Sequence, residues 1–463
     1  MARKTRQITV GFVSLGCPKN VVDTERMLAE IAQAGLTITA TSDNADVIVI
    51  NTCGFIAPAQ AESLDAIRDA VDCKRRGRVK KVVVAGCLSE RLGQELLKQI
   101  DGIDAVIGLA QRDHIAGVIE NLFFSSQHSD LKTSDEPITS PSCSAAAEPH
   151  ADPVPDDRCR LLITPSHWAY LRISEGCDRR CSFCTIPAIR GRFRSKPLQL
   201  VLAEAAELVS AGVVELDVIA QDTTYYGRDL KMPDGLSALI AEIEKMAALT
   251  WLRLMYMYPT GIDKTLIETI ARSARTVRYM DIPIQHVSDE ILKSMRRPDA
   301  KDKLHRLIED LRRAMPDIVL RTTLMVGFPG ETDRQFEELL DFVRWAQFDA
   351  LGCFRFYPES GTAAAAMPGQ VPDAVKQQRL DELMLTQQKI AFAKNKERIG
   401  GTLTCLVDSV QRDGSAQGRF YGQAPDIDSV CIISNCSARP GRFIDARVVG
   451  TRDYDLLVEQ IQR

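Results

Sequence analysis

Three cysteines stand within eight positions of one short stretch, CDRRCSFC, as Cys177, Cys181 and Cys184. Thiolates are common ligands of iron–sulfur clusters and of structural zinc. A structural zinc site takes four ligands, and a bacterial ferredoxin run has a fourth cysteine three residues on, followed by proline. Here the next cysteine is Cys353. The spacing therefore favours a cluster with one open coordination position. The alternatives are chance clustering or a zinc site with a remote fourth ligand.

Three more cysteines each follow an apolar, Val- and Ile-rich stretch. Cys17 ends ITVGFVSLGC, Cys53 ends ADVIVINTC and Cys87 ends KVVVAGC, at a spacing of about 35 residues. A lone buried cysteine is often only a small apolar residue. Three at equivalent ends of successive predicted strands instead predict a second three-cysteine cluster, again with an open position. The remaining cysteines show no such register and are interpreted as structural: Cys73, Cys143, Cys159, Cys353, Cys405, Cys431 and Cys436.

The elements around these cysteines predict an α/β protein of several domains. Over 7–124, short apolar runs alternate with helical patterns, which indicates an open parallel sheet with helices on its faces. Ligands bind such sheets beyond the carboxyl ends of the strands. Residues 125–160 are rich in Ser, Pro, Ala and Asp, so we predict a flexible linker.

Six strand–helix units follow over 161–396 and predict a partial (β/α)6 barrel. The CDRRCSFC stretch comes directly after the first of these strands, and barrel active sites lie at the carboxyl ends of strands. A long helical pattern ends at Gly400 and Gly401. The last residues, 397–463, contain short strands and turns and predict a small antiparallel β-barrel that resembles an OB-fold.

Bulk composition excludes several classes of protein. The chain has 463 residues, 45% of them hydrophobic, and a formal net charge of -4, which is ordinary for a globular protein and not for a polyanion binder. No apolar run is long enough to span a membrane, and the basic start leads into a predicted strand without a signal peptide. Thirteen cysteines in a chain without marks of export predict metal or redox chemistry in the cytoplasm.

With its aromatic residue Phe183 before the last cysteine, the C-x3-C-x2-C stretch resembles the radical S-adenosylmethionine (SAM) superfamily. The resemblance implies a 4Fe–4S cluster on Cys177, Cys181 and Cys184 whose open iron binds SAM, and cleavage of SAM to a 5′-deoxyadenosyl radical. Phe183 would then lie beside the cofactor. Gln221 and Asp222, at a predicted strand end, are candidates for cofactor contact, although an aspartate there is as often a helix cap.

Two open clusters on two α/β domains, followed by a β module, resemble the methylthiotransferase family over nearly the whole chain. The resemblance implies an auxiliary 4Fe–4S cluster on Cys17, Cys53 and Cys87 that delivers sulfur, and a C-terminal TRAM domain that binds the substrate. Several stretches resemble the ribosomal branch of the family, the RimO type: SLGCPKNVVDTE (14–25), INTCGFI (50–56), CTIPAIRGRFRSKP (184–197), QDTTYYG (221–227) and QAPDIDSV (423–430). Lys196 stands where the family more often has Arg.

That branch implies methylthiolation of the β-carbon of an aspartate in ribosomal protein S-twelve, to 3-methylthioaspartate. It also implies an electron donor such as flavodoxin or ferredoxin, and we expect a monomer. Charge is consistent with this partner, because 401–463 contain seven arginines, no lysine and eight carboxylates, a net charge of -1. A module that neutralises phosphates should be basic. The alternatives are a transfer-RNA adenosine methylthiotransferase and a non-catalytic iron–sulfur sensor with a ribosomal or RNA partner.

Weaker motifs receive structural interpretations. In GFPGET, Thr332 and Gln335 predict a capping box at the start of a helix. His286, at a predicted strand end, is interpreted as a structural histidine near the mouth of the barrel. The basic stretch that contains Arg190, Arg192 and Arg194 is either a solvated loop or the partner of an acidic group, and the sequence leaves both open.

Overall fold

The computed structural model describes residues 8–41, 44–124, 154–412 and 414–462, together with the backbone of 138–139. The chain divides into two compact units. The first comprises Met1–Ile163, Glu175–Arg179 and Cys184–Arg194, and the second comprises Thr164–Ser174, Arg180–Phe183 and Ser195–Arg463.

The first unit is built on a six-stranded sheet. Its strands are β1 (Thr9–Ser14), β2 (Thr37–Thr39), β3 (Val47–Thr52), β4 (Lys81–Gly86), β5 (Ala105–Val106) and β6 (Ile138–Thr139). They lie in the order β2-β1-β3-β4-β5-β6, and every neighbouring pair is parallel. All six residues of β3 are buried, as expected of a central strand covered on both faces. The predicted parallel α/β fold is confirmed.

Helices cover both faces of this sheet. They are α1 (Pro18–Gln33), α2 (Ala57–Arg75), α3 (Cys87–Leu92), α4 (Gln94–Gln99) and α5 (Ile115–Phe124), with a 3-10 helix over Leu109–His114. Alternate strand residues point to opposite faces. Ile48 therefore packs in one core cluster with Ile67 of α2, while Val49 packs in another with Ile31 of α1.

The predicted linker, 125–160, falls largely outside the described residues, as does Cys143. Contacts are described for two parts of it. The backbone of β6 pairs with β5, and Arg160 Nε lies 2.8 Å from Glu25 Oε2 in a pair whose side chains are almost fully buried. The final residues of the segment thus pack against α1, because the buried carboxylate of Glu25 supplies a partner that composition cannot reveal.

The remaining strands and helices up to the C-terminal barrel follow in chain order. The strands are β7 (Trp168–Arg172), β8 (Ser174–Glu175), β9 (Arg194–Ser195), β10 (Glu215–Ile219), β11 (Trp251–Leu254), β12 (Thr276–Gln285), β13 (Val319–Val326) and β14 (Ala350–Arg355). The helices are α6 (Ile186–Arg190), α7 (Leu198–Ser210), α8 (Gly235–Ile243), α9 (Lys264–Arg272), α10 (Asp289–Ser294), α11 (Lys301–Ala314), α12 (Asp333–Ala346) and α13 (Asp373–Glu397). Among the helices in the described part of the chain, none is long and apolar enough to cross a membrane.

The six long strands of the second unit form the predicted partial barrel. They lie in the order β14-β13-β12-β11-β10-β7, and each neighbouring pair is parallel. Helix α13 matches the long predicted helix and ends before Gly400. All six strands were predicted, because each is a Val-, Ile- or Leu-rich run between amphipathic segments.

The C-terminal module is a closed five-stranded barrel. Its strands are β15 (Thr402–Val410), β16 (Ala416–Phe420), β17 (Cys431–Ser434), β18 (Phe443–Arg452) and β19 (Asp455–Gln460), in the order β15-β16-β17-β19-β18. Apolar runs that correspond to β15, β16, β17 and β18 are recognisable in the sequence, and β19 is not. The barrel is antiparallel as predicted, except that β17 and β19 pair in parallel. Closure pairs both edges of the sheet, which removes exposed strand edges from this small module.

Within the second unit, the barrel packs beneath the amino-terminal ends of the parallel strands. His167, just before β7, lies 2.9 Å from Asp408 of β15. Glu215, the first residue of β10, pairs with Arg419 of β16 at 2.7 Å. The carboxyl ends of the same strands, where barrel sites form, therefore point away from the β module.

Candidate functional site

The first trio of cysteines lies at one edge of the N-terminal sheet. Cys17 caps the start of α1 after β1, Cys53 follows β3, and Cys87 is the first residue of α3 after β4. These strands are adjacent in the order β1-β3-β4 and all parallel. Their carboxyl ends therefore meet at the same edge, which brings together three residues far apart in sequence.

Glycines beside the cysteines allow the three loops to touch. A Cβ on Gly16 would lie 3.0 Å from Cys53 Cβ, and a Cβ on Gly54 would lie 2.7 Å from the carbonyl oxygen of Cys87. No side chain fits at either position without displacing its neighbour. Gly16 also has φ of +96°, a conformation that favours glycine. The glycines thus set how closely the cysteine loops approach.

Asn20 ties the same loops together from the first turn of α1. Its Nδ2 donates to the carbonyl oxygens of Leu15 and Thr52, both at 2.9 Å, so it fixes the chain just before Cys17 and Cys53. Its Oδ1 lies 3.5 Å from Cys87 Sγ. One buried amide therefore contacts the backbone just before Cys17 and Cys53 and the sulfur of Cys87.

A buried arginine stands against the third cysteine of this trio. Arg190, the last residue of α6, donates from Nη2 to Cys87 Sγ at 3.3 Å and to Asp23 Oδ2 at 3.0 Å. Its Nη1 donates to Glu175 Oε1 at 3.0 Å. Of the two interpretations left open for the basic stretch, Arg190 meets acidic groups, whereas Arg192 is largely exposed and pairs with Asp178.

Burial disfavours the charged form of the Cys53 and Cys87 thiols. It raises the pKa of Cys53, and it raises the pKa of Cys87 to about 12 although Arg190 acts in the opposite direction. A positively charged metal group would reverse this preference, because metal ligation takes the thiolate. Cys17, Cys53 and Cys87 are a set of three thiol ligands that fits an iron–sulfur cluster. The polar Asn20 and the cationic Arg190 lie beside Cys87 and are not themselves ligands.

Among the residues that the structure describes, no three His, Cys, Asp or Glu side chains form a group that could hold one metal ion.

The second trio lies on the loop between β8 and α6. In the first unit, Cys177 is buried, and its Sγ faces the backbone N–H of Arg179 at 3.4 Å. The Sγ of Cys184 faces the N–H of Ile186 at 3.5 Å. Both sulfurs thus have backbone donors of the kind that stabilise thiolates and tune cluster potentials. In the second unit, Cys181 is half-buried.

The predicted cofactor residues lie at the carboxyl ends of the strands of the second unit's sheet. Phe183 packs against an apolar cluster that includes Met325 and Phe328. Gln221 is half-buried, and Asp222 is buried and accepts from Thr224 Oγ1 at 2.6 Å. Asp222 is the N-cap residue of the 3-10 turn that follows it, but its side chain makes no cap hydrogen bond to that turn. Contact of Asp222 with the cofactor stays a prediction.

The GFPGET stretch forms a buried polar cluster after β13. Thr332 and Gln335 make the predicted capping box of α12. Glu331 accepts from the N–H of Gly327 at 2.7 Å and pairs with Arg379 of α13 at 3.0 Å. Burial raises the pKa of Glu331 to about 7, although Arg379 and the backbone donors oppose this.

His286 is fully buried, as a structural histidine would be. Its Nδ1 accepts from the backbone N–H of Ser288 at 3.0 Å, and its Nε2 lies 3.8 Å from Glu331. Burial lowers the pKa of His286 to about 3. The ring is therefore neutral, with its proton on Nε2.

Three site residues escaped the sequence analysis. Asn20 and Asp23 follow Cys17 at helical spacing, so the first turns of α1 would direct both toward one face. The stretch SLGCPKNVVDTE carries that signal. Glu175 stands just before the CDRRCSFC stretch, and nothing in its sequence context marks it as the partner of Arg190.

Family models match three parts of the chain. One, described as uncharacterized protein family UPF0004, matches residues 9–108. A radical SAM superfamily model matches 171–343, and a TRAM domain model matches 399–461. Among solved structures, the radical SAM methyltransferase TsrM from Kitasatospora setae is similar, with a TM-score of 0.55 and 14% identity. The alignment covers 88% of this chain and 79% of that one, a likeness of fold alone. Together these features define a radical SAM protein with a C-terminal TRAM domain.

Curated relatives narrow the class. The ribosomal protein uS12 methylthiotransferase RimO of Syntrophomonas wolfei is 40% identical, over 98% of this chain and all of its own length. The protein of the same name from Geobacter sulfurreducens is 42% identical, over 98% of each chain. The chain belongs to the RimO family of methylthiotransferases.

Proposed function

We propose that this protein is a radical SAM enzyme that methylthiolates the β-carbon of an aspartate in ribosomal protein uS12, giving 3-methylthioaspartate. The observation that carries the proposal is the convergence of Cys17, Cys53 and Cys87 at one edge of the N-terminal sheet. A radical enzyme that only abstracted hydrogen would have no use for a second thiolate trio. Transfer of a methylthio group requires a sulfur source as well.

In this proposal, Cys177, Cys181 and Cys184 hold the cluster that binds SAM, and Cys17, Cys53 and Cys87 hold an auxiliary cluster. When bound, the two clusters and SAM supply a radical that breaks an unactivated C–H bond and a sulfur that replaces the hydrogen. Phe183, Gln221 and Asp222 are proposed to contact the cofactor.

The chain's own residues prepare the auxiliary site. Asn20 fixes the loops that present Cys17 and Cys53, and Gly16 and Gly54 allow those loops to approach. Each thiol must lose its proton on ligation. Burial makes that costly for Cys87 even though Arg190 lies nearby, and a bound iron ion would offset the cost.

A basic ribosomal protein suits the charge of the chain. The net charge is -4 overall and -1 for 401–463, so a nucleic-acid substrate would find no net attraction. The β-barrel packs beneath the amino ends of the strands, and we propose that it contacts uS12 away from the radical chemistry. We further infer a monomer in the cytoplasm that receives electrons from flavodoxin or ferredoxin.

Anaerobic reconstitution tests the proposal directly. The enzyme is loaded with iron and sulfide and incubated with SAM, a reductant and purified uS12, and the uS12 is digested and analysed by mass spectrometry. The expected result is one methylthio group on one aspartate peptide. Transfer RNA in a parallel reaction, digested to nucleosides, should remain unmodified.

Two outcomes would replace the proposal with one of its alternatives. Methylthiolated adenosine in the RNA digest, with unmodified uS12, would indicate a transfer-RNA enzyme. Cluster-dependent binding of uS12 or RNA without release of 5′-deoxyadenosine would indicate a sensor without catalytic activity.

A further inference from the structure

Arg190 is buried with a set of acceptors that a simple ion pair does not explain. Its side chain is 1% exposed. Its Nη2 lies within hydrogen-bond distance of three acceptors: Asn20 Oδ1 at 2.7 Å, Asp23 Oδ2 at 3.0 Å and Cys87 Sγ at 3.3 Å. A guanidinium nitrogen of this kind carries two hydrogens. Cys87 Sγ thus shares the donor nitrogen Nη2 with the oxygens of Asn20 and Asp23.

The carboxylates near Arg190 already have a second cation. Arg112 Nη1 lies 2.6 Å from Asp23 Oδ1 and 3.8 Å from Glu175 Oε2. Arg190 and Arg112 therefore share the two buried carboxylates of Asp23 and Glu175. Of this pair, Arg190 is the one with a hydrogen bond to a cysteine sulfur.

We propose that Arg190 is a positioning residue for the auxiliary cluster: it donates to the thiolate of Cys87, holds that ligand in place and raises the reduction potential of the cluster. The inference rests on the proposed function, in which Cys87 is a cluster ligand. Arg190 lies six residues after Cys184, so the segment that carries the SAM-binding cysteines would also carry a group that tunes the other cluster.

The physical basis is the charge of the reduced cluster. Reduction adds an electron, and a buried cation that donates to a ligand sulfur stabilises the more negative state. Charge-assisted hydrogen bonds are also about twice as strong as neutral ones. Removal of such a partner typically weakens metal binding by roughly 10–100-fold.

The test uses the full-length chain with Cys177, Cys181 and Cys184 all changed to Ser, which leaves only the auxiliary trio. In this background Arg190→Gln removes the charge, and Arg190→Lys keeps the charge but loses the planar fork. Arg112→Gln is the matched control, because it removes a buried cation from the same two carboxylates. Iron and sulfide per chain, iron loss to a chelator and an EPR-monitored redox titration are measured for each.

Arg190→Gln should lose iron to the chelator roughly 10–100-fold more readily than the parent. At a fixed potential its ratio of reduced to oxidised cluster should fall roughly tenfold, equivalent to about 59 mV for one electron. Arg190→Lys should restore most of the parent's ratio of reduced to oxidised cluster. Arg112→Gln should change that ratio by less than about threefold.

The outcomes separate this inference from the proposed function. A background protein that binds no iron would remove the auxiliary cluster and with it the proposed function. A background protein that binds a cluster whose potential and iron retention are the same in Arg190→Gln as in the parent would overturn the role of Arg190 alone. Equal shifts in Arg190→Gln and Arg112→Gln would also overturn it, since they would reflect general electrostatics. If Arg190→Gln does not fold, the comparison of Arg190→Lys with Arg112→Gln decides in the same way.

Discussion

Asn20 offers the sharpest test of how the N-terminal unit assembles its cysteines. Its side chain is almost fully buried and makes two hydrogen bonds of 2.9 Å to the carbonyl oxygens of Leu15 and Thr52. Its Oδ1 accepts a third, from Arg190, at 2.7 Å. Asn20→Ala removes all three.

The magnitude follows from the kind of bond that is lost. Each neutral hydrogen bond contributes about 1 kcal/mol net, and one to a charged group about 1.5–3 kcal/mol. Asn20→Ala should therefore reduce the free energy of unfolding of the cluster-free first unit by about 4 kcal/mol. Urea unfolding followed by circular dichroism measures this loss.

Asn51→Ala is the matched control. Asn51 is also buried and donates from Nδ2 to the backbone oxygen of Asn20 at 2.8 Å and to Thr24 Oγ1 at 2.9 Å. Its removal should cost about 2 kcal/mol. Because both hydrogen bonds run to α1, to the Asn20 carbonyl oxygen and to Thr24 Oγ1, the auxiliary cluster should still bind.

The assay for the cluster is the iron and sulfide content after anaerobic reconstitution, in the background that lacks the SAM-binding trio. Asn20→Ala should retain iron roughly 10–100-fold less well than Asn51→Ala under a chelator. If both variants retained iron as well as the parent does, the idea that Asn20 presents the thiols would be refuted. If both lost iron to the same extent, it would also be refuted, because stability alone would then govern cluster binding.

Three further predictions concern other parts of the chain. Cys181→Ser should abolish release of 5′-deoxyadenosine from SAM, whereas Cys53→Ser should spare that cleavage but stop methylthiolation of uS12; loss of both activities in Cys53→Ser would contradict the division of roles. Because burial lowers the pKa of His286 from 6.5 to about 3, the stability it contributes is complete above pH 6.5 and disappears as the pH falls toward 3, by up to about 5 kcal/mol. His286→Asn, which keeps an acceptor for the Ser288 N–H, should flatten thermal stability over this range, and an unchanged pH profile would refute the assignment. Arg419→Met leaves the buried carboxylate of Glu215 with one fewer cation and should destabilise the second unit by about 3–5 kcal/mol, measured by thermal unfolding against the exposed control Arg412→Met.

Much of the fold was predictable because its signals are local. The parallel sheet, the partial barrel and α13 follow from the period of apolar residues, and the capping box at Thr332 follows from two residues at fixed spacing. The strand β19 was missed because its apolar residues directly follow a turn at the end of the chain and resemble the continuation of β18. The contact of Arg160, the last residue of the predicted linker over 125–160, with Glu25 could not be predicted, because the two residues lie far apart in sequence.

The sequence by itself determined which residues could do the chemistry. The spacing of Cys177, Cys181 and Cys184 specifies an open three-thiolate loop, since neighbours in sequence cannot move far apart. Cys17, Cys53 and Cys87 could be placed at strand ends for a similar reason. What only the tertiary structure decided is how buried side chains meet across the sheet edge. Asn20 and Arg190 contact Cys87 over long separations in sequence, and such contacts depend on packing that no local pattern encodes.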